Sequence, residues 1–187
     1  MLFALLASAC SAGKKHASSA ATTSSSTSSS AVPALHLALA TTARGPERGF
    51  NAGAAAKQAA PSLQQFLNRY LTSAFLRPSE SQKGWTDLLA MFDSGVESSA
   101  RQRLDALSLG SAASQVATVR PGRADAKAVA LFRGGHPVAA SVQLAFDGTA
   151  DGAQGSGTVH LRAVFQLLNT GAGWRIASFQ SNTGSGS

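Results

Sequence analysis

The sequence contains few of the residues that proteins use for covalent bracing or for catalysis. Its 187 residues include a single cysteine, Cys10, so no disulfide can form within the chain. Charged residues make up only 13% of the sequence, about half of the usual ~25%. We find no G-x-S-x-G motif, no phosphate-binding glycine loop and no His/Cys cluster with metal-ligand spacing. The sequence therefore predicts neither a metal nor a cofactor, and favours a domain that is not an enzyme.

The charge that is present is mainly positive, with a formal net charge of +7. An excess of positive charge favours acidic partners, such as anionic lipid headgroups or acidic polymers of a cell envelope. Nucleic acid is not an expected partner, because basic and aromatic residues do not alternate along any stretch of the sequence.

The longest apolar run at the N-terminus is MLFALLASA, which directly precedes Cys10. It is too short to span a bilayer, which needs about 20 residues, but it suits the apolar region of a signal peptide. The run and its cysteine resemble the lipobox of bacterial lipoproteins. That resemblance implies a signal peptide over residues 1–9, lipidation of Cys10 and anchoring to the extracytoplasmic side of the cell membrane. Ala7-Ser8-Ala9 also fits the cleavage site of a plain secretory signal, and both alternatives predict export.

Residues 10–60 are rich in Ser, Ala and Thr, including the segment ATTSSSTSSS. Such a composition buries too little apolar surface to offset the entropy lost on ordering. We predict a disordered tether here, with a typical reach of ~40 Å. Its one apolar patch, residues 32–39, is interpreted as disordered, with a transient helix or a docking segment as the alternatives.

From Pro61 onward the apolar residues follow a helical period. Ser62 and Gln65 form a capping box, and an apolar stripe from Leu63 to Phe75 predicts a helix that ends before Pro78. Residues 85–92 repeat the spacing, and Ser94 with Glu97 predicts the start of a third helix. Three helices are therefore expected before residue 109.

After Gly110 the period changes to two, which predicts strands. The expected strands are residues 115–119, 126–132, 138–146, 158–168 and 174–180. Pro121-Gly122 is interpreted as a turn, Gly134-Gly135 as a tight hairpin, and residues 147–152 as a flexible hairpin loop. The fold class is thus α+β, with the three helices packed on a curved antiparallel sheet of about five strands. The domain is placed at residues 61–182, and residues 183–187 are expected to be a disordered tail.

The strand over residues 158–168 alternates most regularly between apolar and polar residues. Val159, Leu161, Ala163, Phe165 and Leu167 are expected to face the core. His160, Arg162 and Gln166 then lie on the opposite face, where we interpret them as a candidate interface.

The order of these elements, closed by Gly173-Trp174-Arg175-Ile176, resembles the nuclear-transport-factor-like, or SnoaL-like, cone fold over residues 61–182. It is similar to envelope lipoproteins and to domains associated with mammalian-cell-entry transport systems. The resemblance implies a pocket between the helices and the sheet. It also implies that sheets can pair as homodimers, and that the fold hosts isomerases, cyclases and dehydratases beside pure binding modules. The expected pocket residues are Tyr70, Phe66, Trp85, Leu144, Phe165 and Trp174.

Three functions remain open from the sequence. The first is a non-enzymatic, membrane-anchored domain that binds a small apolar ligand or an envelope protein. The second is a SnoaL-like enzyme, although Tyr70 is better explained as a structural residue with its hydroxyl at the edge of the core. The third is a self-associating structural module.

Overall fold

The computed structural model describes residues 35–43, 49–78 and 81–186. The chain is α+β, with one mixed sheet of five strands in the order β1-β2-β3-β4-β5. The strands are β1 (His36–Ala43), β2 (Val116–Arg133), β3 (His136–Gly152), β4 (Gly155–Asn169) and β5 (Trp174–Gly186). The α-helices, in chain order between β1 and β2, are α1 (Ala52–Leu71), α2 (Ser81–Leu89) and α3 (Ser94–Gln102).

The sheet is mixed because β1 runs parallel to β2, whereas the other neighbouring strands are antiparallel. The expected all-antiparallel sheet was therefore wrong at this edge. A parallel neighbour needs a long crossover, and the helices between β1 and β2 supply it.

The predicted tether over residues 10–60 and the domain boundary at Pro61 were wrong for the described part of that range. β1 occupies residues 36–43, and α1 begins at Ala52 rather than at Ser62. The Asn51 side chain accepts a hydrogen bond from the amide of Ala54 at 2.9 Å and so caps the helix. Alanine has the highest helix propensity, and Ala55 and Ala59 are buried. The helix continues through Pro61, although a proline there cannot donate the usual backbone hydrogen bond. Residues 1–34 lie outside the described part.

The C-terminal half of α1 carries the apolar stripe that the sequence predicted. Leu63, Phe66, Leu67, Tyr70 and Leu71 are all buried against the sheet. The helix ends in a π-helical turn, Thr72–Leu76, shortly before Pro78.

α3 begins one residue away from the predicted capping box, because Asp93 rather than Ser94 is its N-cap. The Asp93 side chain accepts a hydrogen bond from the amide of Gly95 at 3.0 Å. The helix ends at Gln102 and is followed by two 3₁₀ turns, Leu104–Ala106 and Gly110–Gln115.

The long hairpin of β2 and β3 turns at Gly134 and Gly135, with φ angles of +59° and +77°. The predicted tight hairpin is confirmed, because these positive angles are easily adopted only by glycine. Pro121-Gly122, by contrast, is not a turn. It lies within β2, and the pairing with β3 shifts register between Pro121 and Arg123, beside a proline that has no N–H to donate.

Two other segments expected to be irregular are paired in the sheet. Residues 147–152 belong to β3, where they pair with β2 on one side and with β4 on the other, both antiparallel. Residues 183–186 of the expected tail belong to β5 and pair with β4. In both segments the small and glycine-rich sequence forms strand because cross-strand hydrogen bonds are available on a neighbouring strand.

The core lies between α1 and one face of the sheet. The ring centroids of Tyr70 and Phe165 are 4.9 Å apart, and those of Phe75 and Phe146 are 5.1 Å apart. The indole Nε1 of Trp174 donates to Ser62 Oγ at 3.1 Å, which connects β5 to α1. Because this face of the sheet is covered, the opposite face is the one available to solvent.

Candidate functional site

The residues expected to line an interior pocket lie in or beside the packed core. Phe66, Tyr70, Leu144, Phe165 and Trp174 are buried, whereas Trp85 is half-buried. Of the six, only Leu144 lines either of the two cavities described below.

Tyr70 has a structural environment. Its hydroxyl donates to the carbonyl oxygen of Leu107 at 2.7 Å, and the residue is fully buried. Burial raises the pKa of this hydroxyl above its ordinary value. The phenol therefore stays protonated and connects α1 to the segment after the first 3₁₀ turn.

The outer face of the sheet, defined as the face opposite α1, carries the other predicted residues. Along β4 the burial alternates, as the sequence predicted, so that His160, Arg162 and Gln166 are exposed. Three apolar side chains are also exposed on this face: Val129 (49%), Val164 (36%) and Leu168 (45%). An apolar and polar surface of this kind suits contact with another molecule.

His160 and Arg162 meet at one carboxylate, that of Asp147 on β3. His160 Nδ1 lies 2.8 Å from Asp147 Oδ1. Arg162 Nη1 lies 2.8 Å from the same oxygen, and Nη2 donates to Oδ2 at 3.2 Å. Arg162 Nη1 also donates to the carbonyl oxygens of Leu161 and Phe146 at 2.8 and 3.1 Å. These contacts hold the guanidinium flat against the strands.

The Asp147 cluster, formed by Asp147, His160 and Arg162, has a clear electrostatic consequence. The hydrogen bond from Arg162 is the main reason that the pKa of Asp147 lies below its ordinary value. Partial burial acts in the opposite direction, and the hydrogen bond with His160 lowers the pKa further. The carboxylate therefore remains charged at neutral and mildly acidic pH.

Arg162→Gln should raise the pKa of Asp147 toward its ordinary value, because the main stabilising donor is removed. A lowered carboxyl pKa contributes stability above the unfolded-state value, and that contribution is lost as pH falls through the folded-state value. In the variant this contribution should therefore be smaller, and its loss should be complete at a higher pH. A carbon-detected NMR titration of the Asp147 carboxyl measures the change, with Arg101→Gln on α3 as the control. An unchanged titration curve would contradict the assignment of the donor.

Beside the Asp147 cluster is a groove of about 690 Å³, here called the outer groove. Its two carboxylates are each paired with an arginine, because Arg123 contacts Asp125 as Arg162 contacts Asp147. Lys127 has no hydrogen-bond or ion-pair partner in the described part of the chain. The same holds there for the amides of three neighbouring side chains, Gln143, Gln180 and Asn182. The charged and amide side chains that line the groove are Arg123, Asp125, Lys127, Gln143, Asp147, Arg162, Gln180 and Asn182.

Strand register explains why these side chains converge. Lys127 is opposite Gln143, Gln143 is opposite Val164, and Val164 is opposite Gln180. One row across four strands thus carries a free ammonium, two free amides and an exposed apolar side chain. The net charge of this lining is +1, because three cations face two carboxylates.

A second cavity, of about 670 Å³, lies between the 3₁₀ turns and the hairpin that joins β3 to β4. Its lining includes Asp105, Ser108 and several glycines. The carboxylate of Asp105 accepts a hydrogen bond from the amide of Ser111 at 2.7 Å, so it has a structural role. The cavity contains no lysine or arginine side chain in its lining.

The structure separates the predicted interface residues into two groups. His160 and Arg162 share Asp147, whereas Gln166 donates to Ser141 Oγ at 3.1 Å in another row. Asp147 was missed because its segment was interpreted as a loop. Lys127, Gln143 and Gln180 were missed because they come together only through strand pairing, although alternation along residues 123–129 was a usable signal.

Other kinds of site have little support in the described residues. Within them, no group of three or more His, Cys, Asp or Glu side chains could hold a metal ion. None of the described helices combines the length and the apolar character needed to cross a bilayer. Comparison with models of protein families, with curated proteins and with solved structures gave no match.

Proposed function

We propose that this chain is an exported, lipid-anchored protein whose domain is a non-enzymatic binding module for an acidic envelope protein. The outer groove is the proposed binding site. The observation that carries the proposal is the pairing of both groove carboxylates with arginines, while Lys127 and its neighbouring amides find no partner among residues 35–43, 49–78 and 81–186. Such a surface accepts an acidic side chain and backbone groups without first breaking an internal ion pair.

Exposed apolar side chains support a protein partner over a simple ion. Val164 lies in the groove and Val129 lies one row away, each more than one third exposed. Covering them adds a favourable term that is independent of salt. A small apolar ligand is the weaker proposal, because the apolar side chains expected to hold it are packed against one another in the core.

We further propose that the domain is cone-like, of the nuclear-transport-factor-like kind, with its sheet curved around α1. Its β-strands are 13–18 residues long in β2 to β5, and register shifts interrupt both the β2–β3 and the β4–β5 pairings. Bulges bend and twist strands, which favours a sheet that curves around α1. A crystal structure of the protein would test the curvature directly.

The binding proposal is tested by photo-crosslinking in the source cells. A benzophenone amino acid at position 164 should form a discrete adduct with an envelope protein, and the same probe at Lys57, exposed on α1, should not. Lys127→Glu should reduce the adduct roughly tenfold, because it replaces attraction to an acidic partner by repulsion. Lys57→Glu provides the matched change of charge. Equal adducts at positions 164 and 57, or a yield insensitive to Lys127→Glu, would disprove the proposal.

A measurement on the purified protein distinguishes a protein partner from a small apolar ligand. Extraction into organic solvent followed by mass spectrometry should find no stoichiometric small molecule. A stoichiometric apolar compound would favour the ligand-binding alternative over a protein partner.

The anchoring part of the proposal rests on Cys10 and the apolar run before it. Two acyl chains on the thiol would contribute ~0.8 kcal/mol per buried methylene, enough for stable anchoring. Cys10→Ser should therefore move the protein from the membrane fraction to the medium. Unchanged partitioning into detergent would contradict lipidation, and Ser11→Ala serves as the control.

An enzyme is favoured by one observation: Asp147 holds Nδ1 of His160, and the described residues offer no partner to its Nε2. A general base is often oriented in this way. Arg162 contacts the same Asp147 oxygen, however, and the His160 side chain is 49% exposed. Competition for the carboxylate and access of water both weaken a base, so we place binding first.

A further inference from the structure

The two edges of the sheet differ in how the described residues cover them. At β5, the amide of Ile176 donates to Met91 O and the amide of Asp93 donates to Ile176 O, both at 2.9 Å. The guanidinium of Arg103 lies 5.6 Å from the ring centroid of Phe179 on the same strand. The first half of β5 is thus covered by the segment before α3 and by Arg103, the residue directly after α3.

At the opposite edge, β1 pairs only with β2 in the described part of the chain. Its sequence, HLALATTA, contains no lysine, no acidic residue and no proline, and its pairing with β2 runs without a register shift. Proteins normally protect such an edge with charges, proline or a bulge. An uncharged and regular edge presents a row of free backbone N–H and C=O groups to another strand.

The apolar layer beneath the sheet is also incomplete at this edge. Leu37 and Leu39 point toward the core but are only half-buried. Their neighbours on β2, Ala126 and Ala128, are buried to 2% and 4% exposure. A further strand beyond β1 would cover the exposed parts of both leucines.

We propose that β1 pairs with β1 of a second copy of this chain, antiparallel, about a two-fold axis at Ala38. That register places Leu37 opposite Leu39 of the second copy and Leu39 opposite its Leu37. Because β1 has no acidic residue, lysine or arginine, it offers no ion pair to a charged partner strand. In this register, each half-buried leucine lies opposite a leucine of the second copy, so the edge is complementary to itself. The two sheets then form one sheet of ten strands, and both outer grooves open on the same side. The inference does not rest on the proposed function, because it concerns the edge and not the outer groove.

The register gives a charge-reversal test on the full-length chain carrying Cys10→Ser, studied by light scattering. This protein should have twice the 19.0 kDa mass of the chain. Ala38→Lys and Ala38→Glu should each give monomers, because like charges then meet across the axis. An equimolar mixture of the two should restore the dimer. Ala38 is exposed, so circular dichroism should show both variants to be folded.

A matched control and a crosslink complete the test. Thr42→Lys carries the same charge near the end of β1, but in this register position 42 faces position 34 and not a second lysine, so the dimer should remain. Ala38→Cys in the Cys10→Ser chain should oxidise to a disulfide-linked dimer, and Ala40→Cys should not. A monomeric parent protein, a mixture that stays monomeric, or equal crosslinking at both positions would overturn the proposal.

Discussion

Phe165→Ala should lower the free energy of unfolding by about 3–5 kcal/mol. Phe165 is fully buried on β4, and its ring contacts that of Tyr70 with centroids 4.9 Å apart. The alanine removes this contact and leaves a cavity between α1 and the sheet, which the packed neighbours can fill only in part. Urea unfolding followed by circular dichroism measures the loss.

Val164→Ala is the matched control for this prediction. Val164 is the preceding residue of the same strand, but its side chain is 36% exposed on the outer face. Its removal should change the free energy of unfolding by less than about 1 kcal/mol, since a partly exposed side chain gains less from burial. Equal losses in the two variants would show that β4 does not face the core as described.

Gly152→Ala should destabilise the protein by roughly 1–3 kcal/mol. A Cβ atom at this position would lie far closer than 3.0 Å to the carbonyl oxygen of Gln115. That oxygen belongs to the backbone, so no side-chain rotation can relieve the clash. The end of β3 must then move away from Val116 at the start of β2, with which Gly152 is paired. Thermal unfolding measures the decrease in Tm.

Gly184→Ala tests whether this effect comes from the clash rather than from glycine itself. Gly184 also lies in a strand, β5, but a Cβ there would meet nothing within 4 Å. The alanine should be neutral or slightly stabilising, because it reduces the conformational freedom of the unfolded chain. A loss at Gly184 as large as that at Gly152 would contradict the close approach of Gln115.

The later part of the domain could be predicted from local pattern. Alternation along β4 correctly separated Leu161 and Phe165, which are buried, from His160 and Arg162, which are exposed. Gly134-Gly135 correctly marked the hairpin, because its positive φ angles depend on residue type more than on distant contacts.

The beginning of the domain could not be predicted in the same way. β1 is a strand because β2 offers it hydrogen-bond partners that lie far away in the sequence, from Asp125 to Phe132. Taken alone, the sequence of β1 resembles the Ala-, Ser- and Thr-rich segment around it, so its composition does not mark it as a strand. Residues 147–152 were misread for the same reason, since Asp147 and Gly148 suggest a turn until the strands on either side are known.

The candidate site depends still more on the tertiary structure. The sequence placed His160 and Arg162 on one face of a strand, which follows from the two-residue period alone. It could not place Asp147 between them, nor bring Lys127 beside Gln143, because pairing between strands is set by register.

The sequence by itself determined that the domain is α+β, the hairpin at Gly134-Gly135 and the two faces of β4, since each follows from interactions between near neighbours in the chain. Only the tertiary structure decided that β1 belongs to the sheet, and that among the described residues β1 has one strand neighbour and Lys127 in the outer groove has no partner. These features arise from contacts between residues far apart in the sequence. Their free energy depends on which segments meet, and one-dimensional pattern does not contain that information.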